Sequence, residues 1–166
     1  MAKITLNGKP VNTNGEMPKI GVQAPNFHLV DANLNDVSLD SYKGKKKLIN
    51  IAVSLDTGIC VRSAKTLAEV APKHPDAVFL TVSSDLPFAQ ARVCQPGTAP
   101  NAFTLSMMRS RNFAKDYGVL QTDGPMAGIC ARAVVVLDAN DKVIFTQLVP
   151  EIATDPNLDA ALAALK

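Results

Sequence analysis

The sequence predicts an α/β protein with one mixed β-sheet, helices on both faces of the sheet, and a small added β-hairpin at the N-terminus. In the middle of the chain, apolar β-rich runs alternate with helix-like patterns, which is typical of strands joined by helices. At both ends, short strand pairs enclose turn residues, and these indicate antiparallel hairpins. We expect the 166 residues to form a single domain, 1–166, because 47% of them are hydrophobic and can build one core.

The N-terminal half of the chain contains two predicted strand pairs and a central strand. Asn7-Gly8 lies between two short β-rich runs and is the strongest short hairpin signal, because both turn positions need positive φ. Residues 27–30 and 37–39 flank a polar segment and predict a second strand pair. The nearly continuous apolar run 48–53 predicts a buried strand in the middle of the sheet.

A helix is predicted to begin close to Cys60. Apolar residues recur at helical spacing from Cys60 onwards until Pro72 ends the pattern, and charged residues occupy the other side. We expect Asp56 to cap this helix. Cys60 should therefore lie in the first turn, on the apolar face.

Two further helices are predicted after the strand at residues 77–83. Ser84-Asp85 offers an N-cap for a helix that tolerates Pro87 in its first turn and ends near Cys94. Residues 106–117 are interpreted as a second helix, closed by a C-cap glycine.

The C-terminal part of the chain predicts a hairpin and a last helix. Runs 133–137 and 143–149 are β-rich and joined by a turn, which indicates a hairpin at the far edge of the sheet. The last helix is expected over 158–165, with Asp155 as its cap and Pro156 at its start. This order of elements suits a thioredoxin-like fold.

Composition limits the partners and the compartment. The 17 basic and 15 acidic residues are dispersed and give a net charge of +2, so no face for nucleic acid is expected. The N-terminus lacks the apolar segment of a signal peptide, and no apolar stretch approaches transmembrane length. Three cysteines, an odd number, fit a reducing compartment. We expect a soluble, cytoplasmic protein that uses any disulfide transiently and binds no membrane.

Cys60 is the candidate nucleophile. The start of a helix gathers unpaired N–H groups and the positive end of the helix dipole, which favour a reactive thiolate. Thr57, three residues earlier, can place its hydroxyl near the thiol and a bound oxygen. Attack on a peroxide would also need a fixed cation. Arg132 opens the strand 133–137, and its spacing leaves open whether it reaches Cys60 or lies exposed at the sheet edge.

Several segments resemble the bacterial thiol peroxidases, which are atypical 2-Cys peroxiredoxins. They follow the family's order and cover essentially the whole chain. The segment from Asp85 to Cys94 is the most selective, because most other peroxiredoxins lack a cysteine in that helix. The matching segments are Asp56–Cys60, Ser84–Cys94, Tyr117–Val119, Asp123–Pro125 and Ala131–Val136.

The resemblance implies a role for each site residue. Cys60 matches the peroxidatic cysteine, Thr57 the peroxide-binding threonine, Arg132 the active-site arginine and Cys94 the resolving cysteine of the same subunit. It also implies a homodimer that reduces hydrogen peroxide and alkyl hydroperoxides and is recycled by thioredoxin, without metal or organic cofactor. Cys60 and Cys94 lie at separate helix ends, so we expect both segments to unwind locally before a disulfide can form.

Val53 departs from the family, which ordinarily has proline at this position. Proline has no N–H and fixes φ, whereas valine restores a donor and some backbone freedom. Two alternatives follow: a working peroxidase with altered rate or substrate preference, or a weakened member that acts as a peroxide sensor through a Cys60–Cys94 disulfide. A disulfide reductase of the thioredoxin type would need Cys-x-x-Cys, which the chain lacks.

Cys130 and the two histidines fall outside this constellation. Cys130 is interpreted as a small buried hydrophobe. If the strand 133–137 extended that far, however, Cys130 would share a face with Arg132, and a Cys60–Cys130 disulfide could form as a side product. His28 and His74 have no matching ligand cluster, so no metal site is expected.

Overall fold

The N-terminal hairpin predicted around Asn7-Gly8 is present in the computed structural model, which describes residues 1–166. Strands β1 (Lys3–Leu6) and β2 (Lys9–Asn12) pair antiparallel. Asn7 and Gly8 have φ values of 50° and 75°, as a two-residue turn with two positive φ angles requires. The prediction succeeded because few other residue pairs accept this backbone.

Seven further strands form one mixed sheet, as predicted. Along the sheet their order is β4-β3-β7-β6-β5-β8-β9. Strands β5, β6 and β7 run parallel, and the remaining neighbours pair antiparallel. Strand β5 lies inside the sheet, between β6 and β8, and Leu48, Ile49 and Ile51 on it are fully buried. The bounds are β3 (Leu29–Val30), β4 (Asp36–Val37), β5 (Lys46–Ile51), β6 (Ala77–Ser83), β7 (Ala102–Ser106), β8 (Ala133–Leu137) and β9 (Val143–Leu148).

Helices cover both faces of this sheet. They are α1 (Gly58–Val70), α2 (Pro87–Val93), α3 (Asn112–Asp116) and α4 (Leu158–Ala163), with short 3-10 helices at Leu39–Tyr42 and Ala71–Lys73. Alternate residues of β5 point into different cores: Leu48 joins α1 and α4 on one face, whereas Ile49 joins α3 on the other. None of the helices combines the length and the apolar composition that spanning a bilayer requires.

The helix predicted over 106–117 is wrong in extent. Residues Ala102–Ser106 form β7, and only Asn112–Asp116 are helical. Strand β7 adds a third parallel strand beside β6 and shares only Ser106 with the predicted helix. Residues 107–111 form a turn instead: the Met107 amide donates to Ser83 O at 3.0 Å and the Ser110 amide to Met107 O at 3.2 Å, and these bonds override the local pattern. Gly118 does close the helix, with φ of 67°.

The predicted helix caps are also wrong. The N-cap residue of α1 is Thr57 rather than Asp56, and that of α2 is Leu86. Helix α4 is capped by the side chain of Asn157, while Asp155 pairs with an exposed arginine of α1. Polar residues just before a helix are ambiguous, because the same side chains can serve turns or tertiary contacts instead.

Candidate active site

Cys60 lies in the first turn of α1, beyond the C-terminal end of the parallel strand β5. Its position and its apolar face agree with the prediction. The residue is only 1% exposed. It belongs to a third core cluster, which we call the site cluster: Ile4, Val11, Ala52, Val53, Leu55, Cys60, Ala64, Ala131 and Ile152. The N-terminal hairpin contributes two of these residues, so it is part of the surroundings of the thiol.

Three backbone N–H groups at the start of α1 can bind a substrate. The first intrahelical hydrogen bond runs from the Val61 amide to the Thr57 carbonyl oxygen, at 3.0 Å. The amides of Gly58, Ile59 and Cys60 therefore have no acceptor within the helix. Together they form the positive end of a 13-residue helix, which favours negative charge on a sulfur or a bound oxygen.

Arg132 provides the fixed cation. Its Nη1 donates a hydrogen bond to Cys60 Sγ at 3.0 Å, although the two residues are 72 positions apart in the chain. The side chain is 4% exposed, so it is not an exposed residue of the sheet edge. None of the four ion pairs in the structure includes Arg132. Because a buried cation without a counter-ion is costly, a thiolate at Cys60 would balance its charge.

The backbone of the segment 150–152 orients this arginine. Arg132 Nε donates to the Ile152 carbonyl oxygen at 3.0 Å. The same segment is paired with β1: the Ile152 amide donates to Thr5 O at 2.8 Å, and the Thr5 amide donates to Pro150 O at 2.7 Å. The sequence carries no signal for this contact, because any residue at position 152 presents a carbonyl oxygen.

Glu151 fastens the turn of the N-terminal hairpin to this segment. Its carboxylate accepts hydrogen bonds from the amides of Ala153, Gly8 and Asn7, each at 3.0 Å, and from the Thr5 hydroxyl at 2.8 Å. The bonds to Ala153 and Gly8 contribute most, and together these donors lower the pKa of Glu151 from 4.5 to about 2. Such bonds favour the ionised form of a carboxyl group.

Replacing Glu151 with glutamine is expected to make the protein less stable at neutral pH but to change its stability little near pH 2. A carboxyl group whose pKa is lowered by folding stabilises the protein above its unfolded pKa. That contribution is lost as the pH falls from about 4.5 to about 2. Thermal unfolding of the native protein and of Glu151→Gln at pH 7 and at pH 2.5 measures the difference. An equal gap at both pH values would contradict this prediction.

Thr57 lies at the N-cap of α1, between β5 and Cys60. Its hydroxyl donates to the Ser54 carbonyl oxygen at 2.9 Å. Because this bond uses the only hydroxyl proton, the oxygen of Thr57 can act only as an acceptor towards a substrate O–H group. Asp56 is exposed, and its side chain caps nothing.

Cys94 ends α2 as its C-cap residue. It is partly buried and packs against the site cluster, and its thiol is free, as are those of Cys60 and Cys130. Burial raises the pKa of Cys94, and the charge of Lys65 on α1 partly offsets this effect. The structure thus brings Cys94 to the same cluster as Cys60, in the dithiol state.

Cys130 is separated from this site. It is fully buried in the core that contains α3, with Sγ 3.8 Å from Met107 Sδ. Burial raises the pKa of its thiol to about 12, so the thiol is protonated and unreactive near neutral pH. The interpretation of Cys130 as a small buried residue is confirmed. The condition for Cys130 to share a face with Arg132 is not met, because β8 begins only at Ala133.

Val53 is buried beside Cys60 in the site cluster. It follows the end of β5, and its amide donates no hydrogen bond to another backbone group. The backbone N–H group that valine has and proline lacks therefore makes no hydrogen bond to the backbone.

No group of three or more His, Cys, Asp and Glu residues could hold a metal ion.

The sequence and the fold of this chain are similar to those of known proteins. Residues 19–162 match the family model described as Redoxin. The chain is 48% identical over 165 residues to the thiol peroxidase of Mycobacterium bovis, covering 99% of both chains. Among solved structures, a peroxiredoxin-like protein from Aquifex aeolicus has a TM-score of 0.91 at 34% identity, covering 99% of this chain and 96% of that one. The thiol peroxidase from Chromobacterium violaceum has a TM-score of 0.85 at 26% identity, with coverage of 98% and 94%.

Proposed function

The chain belongs to the redoxin family and is a thiol peroxidase of the peroxiredoxin type, and from this premise we propose that it reduces hydrogen peroxide and alkyl hydroperoxides through Cys60 and Cys94. The observation that carries the proposal is the 3.0 Å contact between the buried Arg132 guanidinium and Cys60 Sγ at a helix start. This arrangement combines a nucleophilic sulfur with a cation and free N–H donors.

In the first step, the Cys60 thiolate attacks one oxygen of the hydroperoxide. The O–O bond breaks, the attacked oxygen stays on sulfur as a sulfenic acid, and the other oxygen leaves with a proton as water or an alcohol. Arg132 and the amides of residues 58–60 stabilise the negative charge that moves onto the leaving oxygen. Thr57 accepts a hydrogen bond from the hydroperoxide O–H group and so fixes its orientation.

In the second step, the Cys94 sulfur attacks the sulfenic sulfur. An S–S bond forms within the subunit, and the sulfenic oxygen leaves as water. Cys60 lies at the start of α1 and Cys94 at the end of α2, so both ends must unwind to bring the sulfurs together. A cavity of about 690 Å³ lies between α1 and residues 95–100 and is lined in part by Cys94. This space gives the end of α2 room to move.

Substrate class, reductant and assembly belong to the same proposal. Partly buried apolar side chains that pack against the site cluster, including Val93, Met126 and Ile129, offer a surface for the alkyl group of an organic hydroperoxide. The family resemblance supports thioredoxin as the dithiol that reduces the disulfide.

We further propose that residues 1–166 act as one domain and pair as a homodimer. The exposed Leu86 and Phe88 at the start of α2 supply an apolar surface for this pairing.

Replacing Val53 with proline is expected to leave the protein folded and to change its rate constant with peroxide by no more than about fivefold. The Val53 amide donates no backbone hydrogen bond, so proline removes none. Stopped-flow oxidation measures the rate. Ala52→Pro is a matched control, since the Ala52 amide donates to Val82 O at 2.8 Å and its loss should disrupt the loop. A gain of tenfold or more in the Val53 variant would instead support the weakened sensor.

Turnover tests the proposed function. The native chain is mixed with excess hydroperoxide, thioredoxin, thioredoxin reductase and NADPH, and NADPH oxidation is followed. A peroxidase consumes many equivalents of hydroperoxide per subunit and stops when thioredoxin is omitted. Consumption of a single equivalent with thioredoxin present would overturn the proposal and would favour the peroxide sensor.

A further inference from the structure

Asp85 joins the two segments that carry Cys60 and Cys94. It lies between β6 and α2, partly buried. Its carboxylate accepts hydrogen bonds from the Leu55 amide at 2.7 Å, the Ser54 hydroxyl at 2.8 Å and the Ser83 hydroxyl at 2.7 Å. Bonds to a carboxylate are about twice as strong as those between neutral groups, so these three bonds tie the loop before Cys60 firmly to the end of β6.

Two of these bonds fix the loop before Cys60. Ser54 and Leu55 lead from β5 to α1, and Leu55 is fully buried. The Ser54 hydroxyl also accepts a bond from the Asp56 amide at 3.1 Å, and the Ser54 carbonyl oxygen accepts the Thr57 hydroxyl at 2.9 Å. Asp85 therefore holds the turn that sets the position of the Thr57 hydroxyl and of the first residues of α1.

The third bond leads to the end of α2. The Ser83 hydroxyl accepts a bond from Gln90 Nε2 at 2.9 Å, and Gln90 is fully buried. The backbone oxygen of Gln90 in turn accepts the Cys94 amide at 2.9 Å. A continuous chain of hydrogen bonds thus runs from the Leu55 amide through Asp85, Ser83 and Gln90 to the residue that is to resolve the sulfenic acid.

We propose that Asp85 is a positioning residue that holds the Cys60 loop and the Cys94 helix in the conformation that reacts with peroxide, and that this chain of hydrogen bonds must break before the disulfide forms. The proposal rests on the proposed function and deepens it. The carboxylate does not touch the reacting atoms. It favours the first step by fixing Thr57 and α1, and it opposes the second step because the disulfide needs both segments to move.

Asp85→Asn tests whether Asp85 favours the first step and slows the second. The side chain keeps its shape, but its NH₂ group cannot accept a bond, so the buried Leu55 amide or a hydroxyl loses its partner. Single-turnover stopped-flow measurements separate formation of the sulfenic acid from formation of the disulfide. We expect the first rate constant to fall about tenfold and the second to stay the same or to rise.

Asp138→Asn is the matched control. Asp138 is also partly buried and accepts two backbone amides, at 2.8 and 2.9 Å, in the turn between β8 and β9. Its replacement should alter neither rate constant. Unchanged rates in Asp85→Asn, or a similar fall in both steps, would overturn the proposal, because loss of general stability would not move the two steps in different directions.

A second variant and a second measurement keep the test decisive. Ser83→Ala leaves the carboxylate on Leu55 but cuts the link to Gln90, and it should speed disulfide formation while oxidation changes little. An unchanged rate of disulfide formation in Ser83→Ala would refute the link to Cys94.

Hydrogen exchange of the Leu55 amide, slow in the native dithiol form, should become at least about tenfold faster in Asp85→Asn. An unchanged exchange rate would refute the positioning role, even if the native chain failed to react with peroxide.

Discussion

Cys60→Ser is expected to lower the rate of peroxide consumption by at least about a thousandfold, to the background rate. A serine hydroxyl remains protonated at neutral pH, and its oxygen cannot form the sulfenic acid on which the second step depends. Arg132 Nη1, which donates to Cys60 Sγ at 3.0 Å, would then face a neutral oxygen. Peroxide loss in the presence of thioredoxin, thioredoxin reductase and NADPH measures the effect.

Cys130→Ala is the control for this experiment. It also removes a buried thiol, but from the core around α3 rather than from the site cluster. Its rate with peroxide should stay within about threefold of the native rate, because a thiol with a pKa of about 12 is protonated under these conditions. Residual activity above a few per cent in folded Cys60→Ser would place the nucleophile elsewhere.

The three thiols of this fold lie in surroundings that differ in burial and in nearby charge. Cys60 lies in the first turn of α1 and accepts a hydrogen bond from Arg132, which forms no ion pair with a carboxylate. Cys94 has a raised pKa because it is partly buried, and Cys130 has a strongly raised pKa because it is fully buried. Desolvation alone disfavours a thiolate, whereas a nearby cation and free N–H donors favour it. Only Cys60 has both of these stabilising features.

Local sequence signals predicted the parts of the fold that depend on local chemistry. Asn7-Gly8 formed its turn, the apolar run at 48–53 marked the buried inner strand that runs over Lys46–Ile51, and Cys60 came to the first turn of α1. Each depends on a few neighbouring residues or on a short periodic pattern. The failure at 106–117 had a different cause: the chain at Ser106 and Met107 is held against β6, which lies more than twenty residues earlier, by strand pairing and by the bond from the Met107 amide to Ser83 O.

The site could be predicted only in part for the same reason. Spacing left Arg132 undecided, because its contact with Cys60 is set by the register of β8 beside β5, and only the family resemblance assigned it. The Ile152 carbonyl oxygen that orients Arg132 has no residue-specific signal at all. Asp85 was interpreted as a helix cap, whereas its carboxylate binds a loop 30 residues away.

Under the proposed mechanism, Cys94 removes the sulfenic acid of Cys60. In this structure both thiols are free, and Cys94 packs against the site cluster from the end of a seven-residue helix. Helices this short depend on tertiary contacts for their stability. Release of the last turn of α2 therefore requires these contacts to break, together with the bond from the Cys94 amide to Gln90 O, and it would free Cys94 to reach the oxidised sulfur.

Cys94→Ser is expected to retain the first oxidation at a rate within about threefold of the native rate but to lose thioredoxin-supported turnover. The variant should consume about one equivalent of hydroperoxide per subunit and stop with a sulfenic acid on Cys60, because no second thiol can displace the oxygen. Trapping with dimedone and mass spectrometry identifies the modified residue. Because Cys130 lies fully buried in a separate core, it cannot replace Cys94. Turnover at the native rate in Cys94→Ser would show that another thiol group resolves Cys60.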